Sequence, residues 1–229
     1  MRSQSLIPHA VIGQMVQRAL FLKCLLILLA TTGPVAAQNL CRLAILGDSL
    51  TAGYGLEIAS AFPTVLEREL VANSVPCKVI DAGVSGDTTA GGVSRVDWVL
   101  AADPTHLMVE LGGNDALRAL PTEQMKANLE KIIEASRARG VPVMLAGMLP
   151  PPNLGEHYFD AFRLVFTDLA DKYGLYLYPF FLDGVALEPS LMQADGIHPN
   201  AEGVQEIVRR ITPLTIQFVQ TGYQNGMPE

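Results

Sequence analysis

Three residue types are scarce in this 229-residue chain: it holds three cysteines, one tryptophan and four histidines. They are scattered and form no His/Cys/Asp cluster at ligand spacing, so no metal site is expected. Positive charge is also short, with 16 Lys and Arg against 23 Asp and Glu, a formal net charge of -7. Without a basic run the chain lacks the electrostatic footprint of a nucleic-acid binder. It also has no electrostatic reason to lie on anionic lipid. No apolar run reaches the ~20 residues that span a bilayer. Internal repeats and low-complexity linkers are missing as well, so the length suits one domain. What is plentiful is hydrophobic side chain, 49% against 17% charged, which supports a sizeable core and opposes global disorder.

Residues 1–37 form a separate kind of sequence. They contain Arg2, Arg18 and Lys23 but no acidic residue, and an apolar run from Cys24 to Ala30 follows Lys23. Thr31, Thr32, Gly33 and Pro34 end the run, and Val35-Ala36-Ala37 offers small residues at the -3 and -1 positions of a signal-peptidase site. The expectation is a cleaved signal peptide over 1–37, a single domain over 38–229 beginning at Gln38, and a periplasmic or secreted location. No lipobox precedes Cys24 or Cys41.

Beyond Gln38, short apolar runs alternate with amphipathic stretches. Strands are expected at Arg42–Leu46, Cys77–Asp81, His106–Leu111, Val141–Ala146 and Leu175–Pro179. Helices are expected at Phe62–Ala72, Thr88–Ala101, Pro121–Arg139, Glu156–Tyr173 and Ala201–Val219, with Pro121 opening the third and Gly140 closing it. Trp98 is placed on the apolar face of the second. This alternation implies parallel strands joined by right-handed crossovers, hence an α/β fold: a three-layer α/β/α sandwich around a five-stranded parallel sheet.

In such sheets ligands bind outside the carboxyl ends of the strands, and the polar clusters fall there. Gly47-Asp48-Ser49-Leu50 ends the first strand, Ser85-Gly86-Asp87-Thr88 follows the second, and Gly112-Gly113-Asn114-Asp115 ends the third. Asp195-Gly196-Ile197-His198-Pro199 lies just before the last helix. Each cluster alone reads as a turn; four at successive strand ends do not. A serine hydroxyl needs a base within hydrogen-bond reach, and that base needs an orienting carboxylate. Ser49, His198 and Asp195 fill those roles. Donors for an oxyanion are available from the Ser49 and Gly86 amides and the Asn114 side chain. Asp48 and Asp115 are expected to brace loops instead. His9 lies in the signal segment, His106 at the far end of a strand, and His157 at a helix start, so none competes with His198.

These blocks resemble the SGNH hydrolase family, the GDSL lipases/esterases, over roughly residues 42–218. The resemblance implies a flavodoxin-like SGNH fold, a Ser49–His198–Asp195 triad, and an oxyanion hole of Ser49, Gly86 and Asn114. Leu46–Tyr54, Leu111–Leu117, Pro151–Gly155 and Asp195–Asn200 look like the bacterial periplasmic multifunctional thioesterase/arylesterase/lysophospholipase subgroup. That implies ester and thioester hydrolysis without a cofactor, on a small acyl substrate. It also implies a wall for the acyl chain from Leu149, Pro152, Asn153, Leu154 and Tyr158, in a loop where Leu149-Pro150 departs from the subgroup's pattern. A carbohydrate O-deacetylase and a catalytically idle acyl- or glycan-binding protein are the alternatives. Oligomeric state is not legible.

Signal cleavage would remove Cys24 and send Cys41 and Cys77 into an oxidising compartment. Both stand at the start of strands whose far ends must meet at one site. Neighbouring strands are ~4.8 Å apart and disulfides tolerate Cα separations of roughly 4.4–6.8 Å, so a Cys41–Cys77 bridge is expected.

Overall fold

The computed structural model describes residues 41–221, and the expected signal segment lies outside them. Strand β1 (Cys41–Gly47) is an interior strand, and its Leu43, Ala44, Ile45 and Leu46 are wholly buried. An apolar run of this kind suits a strand covered on both faces. It pairs in parallel with β2 (Cys77–Gly83) on one side and β3 (His106–Glu110) on the other. β4 (Val143–Ala146) and β5 (Tyr176–Tyr178) extend the sheet beyond β3, giving the order β2-β1-β3-β4-β5, all parallel. The order reverses between β1 and β3, which is the switch point where ligand crevices form in doubly wound sheets.

Helices α1 (Phe62–Ala72) and α6 (Ala201–Thr221) pack together, and α2 (Thr89–Ala101), α4 (Thr122–Ala138) and α5 (Glu156–Tyr173) form a second group. The short α3 (Gly113–Leu117) follows β3. With the sheet between the two groups, this is the three-layer α/β/α sandwich expected. Local chemistry sets the helix ends: Pro63 sits in the first turn of α1, and Gly140, at φ +69°, follows α4. Asn200 accepts the Gly203 N–H through Oδ1 (2.9 Å) and so caps α6.

Element bounds differ from the sequence reading by up to two residues, as expected where ends fray. β4 starts at Val143 rather than Val141; Pro142 has no N–H to give a ladder. One side chain is misplaced by the sequence reading. Trp98 is 73% exposed. The buried stripe of α2 runs through Thr89, Gly92, Val96, Val99 and Leu100, and Trp98 lies about 200° round the helix from Val96 at 3.6 residues per turn.

At the amino ends of the strands, Cys41 is the register partner of Cys77, with Cα atoms 4.5 Å apart, and the two sulfurs are bonded. β2 is an edge strand, and the Glu67 carboxylate of α1 accepts its outward Val79 N–H (2.8 Å). That occupies a backbone donor another chain would otherwise use.

Candidate active site

The register brings three segments together at the carboxyl edge. Gly47, the last residue of β1, stands opposite Gly83 of β2 and Glu110 of β3. Ser49, Gly86 and Asn114 follow these by two, three and four residues. The turn carrying Ser49 folds tightly over the strand ends: Ala52 N–H donates to Asp48 O (3.0 Å) and Tyr54 N–H to Ser49 O (3.1 Å). A Cβ at Gly83 would stand 2.4 Å from the backbone nitrogen of Ala52, so no larger residue fits there.

His198 arrives from the loop before α6. Its Nε2 lies 2.9 Å from Ser49 Oγ and its Nδ1 2.7 Å from Asp195 Oδ2. Asp195 Oδ1 also accepts the backbone N–H groups of Ile197 (2.9 Å) and His198 (3.0 Å). The His198 ring contact and these amides hold the Asp195 carboxyl down to about 2. An ionised carboxylate can only accept, so Nδ1 carries the proton and Nε2 turns its lone pair to Ser49. The loop is locked from behind. Gln193 N–H donates to His198 O (2.7 Å), and its side-chain amide donates to Tyr54 O (2.7 Å) and Pro199 O (2.9 Å). The Tyr54 ring lies against the imidazole, centroids 4.4 Å apart.

Asn114 donates one amide hydrogen to Asp48 Oδ2 (2.9 Å), leaving its second for another acceptor. Gly86 sits at φ +81° in the turn closed by Asp87 N–H to Val84 O (3.0 Å). The conformation favours glycine. Among the described residues, the Ser49 and Gly86 amides make no hydrogen bond to another group. Asp48 and Asp115 brace loops as expected: Asp48 accepts Leu50 N–H (3.0 Å), and Asp115 accepts Thr89 N–H (2.9 Å) and Thr89 Oγ (2.6 Å).

Beneath Asp48 lies a residue the sequence reading passed over. Glu110 is fully buried, its Oε2 is 3.5 Å from the Asp48 N–H, and its Oε1 has no partner among the described residues. Burial, reinforced by the Asp48 charge, pushes its carboxyl well above the usual range. Burial raises Asp48 to about 6, against the opposing pull of Leu50 N–H and Asn114. The signal was visible as one acid ending the apolar run of β3.

Of the five residues expected to wall an acyl chain, Leu149, Leu154 and Tyr158 are half-buried and Pro152 and Asn153 exposed. Tyr158 Oη donates to Leu120 O (2.8 Å), tying α5 to the segment after α3. No group of three metal-ligating side chains occurs among the described residues.

A hydroxyl, an imidazole and a carboxylate in series at the switch point of a parallel sheet define the serine hydrolase class. Residues 45–206 match the GDSL-like Lipase/Acylhydrolase family, and the chain belongs to it. It is 38% identical over 197 residues to Esterase TesA of Pseudomonas aeruginosa, covering 86% of this chain and 96% of that one. It is 36% identical over 179 residues to Thioesterase 1/protease 1/lysophospholipase L1 of Escherichia coli K12, covering 78% and 83%. The crystal structure of AlinE4, an SGNH-hydrolase family esterase, superimposes with a TM-score of 0.67 at 42% identity, over 78% of this chain and 96% of that one.

Proposed function

We propose that this chain cleaves carboxylic esters and thioesters through an acyl-Ser49 intermediate. The observation that carries the proposal is the continuous relay from Ser49 Oγ through His198 to Asp195, at 2.9 and 2.7 Å. Ser49 Oγ attacks the acyl carbon while His198 Nε2 takes its proton. The carbonyl oxygen becomes an oxyanion facing the Ser49 and Gly86 amides and the second Asn114 hydrogen. As the intermediate collapses, the C–O or C–S bond breaks and His198 returns the proton to the departing alcohol or thiol. Water then attacks the acyl-enzyme by the same route, releasing the acid and Ser49. Apart from the substrate and water, each step uses groups of this chain. The names of the relatives at 36–38% identity, an esterase and a thioesterase/lysophospholipase, support both leaving-group types. The half-buried Leu149, Leu154 and Tyr158 support an acyl wall in the Leu149–Tyr158 loop.

The same proposal takes residues 1–37 as a signal peptide and 38–229 as the hydrolase domain, exported to the periplasm or beyond. Support comes from the Cys41–Cys77 bond, since disulfides persist in oxidising compartments. No described helix is long and apolar enough to cross a membrane.

A fluorophosphonate probe tests the central claim: wild-type protein should be labelled at Ser49 and Ser49→Ala should not. Equal labelling of both proteins overturns it. Mass measurement of the exported protein should give an amino terminus at Gln38.

A further inference from the structure

Gly86 owes its φ of +81° to a turn, and that turn decides where its N–H points. An oxyanion donor is useful only if it is aimed before charge develops, so the position of this turn relative to Ser49 and Asn114 matters.

Two arginines bond to this turn and its flanks. Arg118, the residue after α3, donates from Nη2 to Gly86 O (2.8 Å). It lies four residues beyond Asn114 and so ties the Asn114 helix to the Gly86 turn. Arg95, on α2, is largely buried and spends its guanidinium on three acceptors: Asp87 Oδ2 (2.6 Å), Ala82 O (2.5 Å) and Gly47 O (2.7 Å). It ties the end of β1, just before Ser49, to both sides of the Gly86 turn. The Asp48–Asn114 bond completes the circuit between the Ser49 turn and the Asn114 helix (2.9 Å). Each donor-bearing segment is thus bonded to the other two.

We propose that Arg118 and Arg95 are positioning residues for the oxyanion donors, holding the Gly86 turn in register with Ser49 and Asn114. This rests on the acyl-serine reading above. Neither arginine touches the reacting atoms. Loss of either leaves the relay of Ser49, His198 and Asp195 intact and lets the Gly86 turn shift relative to the other two donors.

The test is steady-state kinetics on a p-nitrophenyl ester with Arg118→Ala, Arg118→Lys, Arg95→Lys and Ser49→Ala, each with its thermal midpoint. Arg118 is exposed, so Arg118→Ala should keep its midpoint within about 2 °C. Its kcat should fall roughly ten-fold, the scale of a slightly misplaced catalytic group, with KM within about two-fold of wild type. Arg118→Lys, which keeps one donor, should recover part of the loss. Arg95→Lys keeps the charge but cannot span three acceptors, and its kcat should fall by a similar factor. Three results overturn the proposal: wild-type kcat in Arg118→Ala or Arg95→Lys, a rise in KM alone, or a kcat loss matched by a collapsed midpoint in Arg118→Ala. The Ser49→Ala control separates the two levels. An active Ser49→Ala sinks the acyl-serine reading itself, whereas an inactive one beside fully active arginine variants sinks only the positioning role.

Discussion

Asp48 and Asn114 are joined by a 2.9 Å hydrogen bond across 66 residues of sequence. The bond gives the motif aspartate a second task. It braces its own turn through Leu50 N–H, and it fixes the rotamer of a side chain whose remaining hydrogen faces the reacting carbonyl in the proposed mechanism. Asn114→Ala is therefore expected to lower kcat by roughly 10²–10³, the range for one oxyanion donor. Asn114 is half-buried and its loss removes a single side-chain hydrogen bond, so the thermal midpoint should fall only modestly. A variant that loses its fold with its activity would mark Asn114 as a turn residue instead.

Asp195 holds its proton only below about pH 2, so it is ionised at any pH where the enzyme is assayed. Its charge fixes the His198 tautomer. Asp195→Asn offers an amide hydrogen to Nδ1 and favours the opposite tautomer, with Nε2 protonated toward Ser49. We expect kcat to fall by roughly 10²–10⁴ with KM little changed. Stopped-flow measurement should place the loss in acylation; an unaltered acylation rate would argue that His198 needs no orienting carboxylate.

Glu110 ties stability to pH. Burial raises its folded pKa well above its unfolded value, so the folded state holds a proton that the unfolded chain releases near pH 4.5. The slope of stability with pH is then negative. Its contribution is complete below pH 4.5 and is lost as pH rises towards the folded pKa. Asp48, raised to about 6, adds a loss of the same sign between about 4 and 6. Glu110→Gln does not titrate. Denaturant unfolding at pH 5, 7 and 9 should show the wild type less stable relative to Glu110→Gln at pH 9 than at pH 5. Parallel curves for the two proteins would rule this out.

Strand positions and the candidate site's main residues are legible in the sequence because parallel strands write themselves as apolar runs and their functional ends as Gly/Asp/Ser/Asn clusters. Ser49, Asn114, Asp195 and His198 all sit in such clusters. The supporting side chains are not legible in this way. Arg95 is 48 residues from its Gly47 acceptor and 13 from Ala82, and a lone arginine on a helix reads as solvated surface. Gln193 reaches Tyr54 over 139 residues. Trp98 departs from expectation because residue type favours burial of a large apolar side chain, whereas position on the helix decides. Tyr54 follows Ser49 by five residues in sequence, yet only the fold places its ring on His198.

The loop from Leu149 to Tyr158 offers a test of substrate range. Leu149 and Leu154 are half-buried, and apolar pockets take acyl chains by area. Leu149→Ser and Leu154→Ser should shift preference among p-nitrophenyl esters toward short chains. Each lost methylene contact is worth about 0.8 kcal/mol, so the shift should appear as several-fold in kcat/KM for long esters with acetate unaffected. An unchanged profile would remove the loop from the acyl site.

The Cys41–Cys77 bond stands at the opposite end of the strands from Ser49, at the first residues of β1 and β2. Position separates its role from catalysis. It closes a loop with a sequence separation of 36, which on the chain-entropy account restrains the unfolded state by about 4 kcal/mol. It also secures the start of β1, an interior strand, which in the proposed mature chain lies close to a terminus that would otherwise fray. Cys41→Ala/Cys77→Ala should therefore unfold roughly 8–16 °C lower, at 2–4 °C per kcal/mol for a chain of this size. Its kcat at 25 °C should equal wild type, because the carboxyl-edge segments keep their own bonds to one another. Thiol titration of the denatured, unreduced mature protein provides the direct check: no reactive thiol is expected, and two per chain would dismiss the bridge. A double variant with wild-type stability would leave the bond in place but remove its structural purpose.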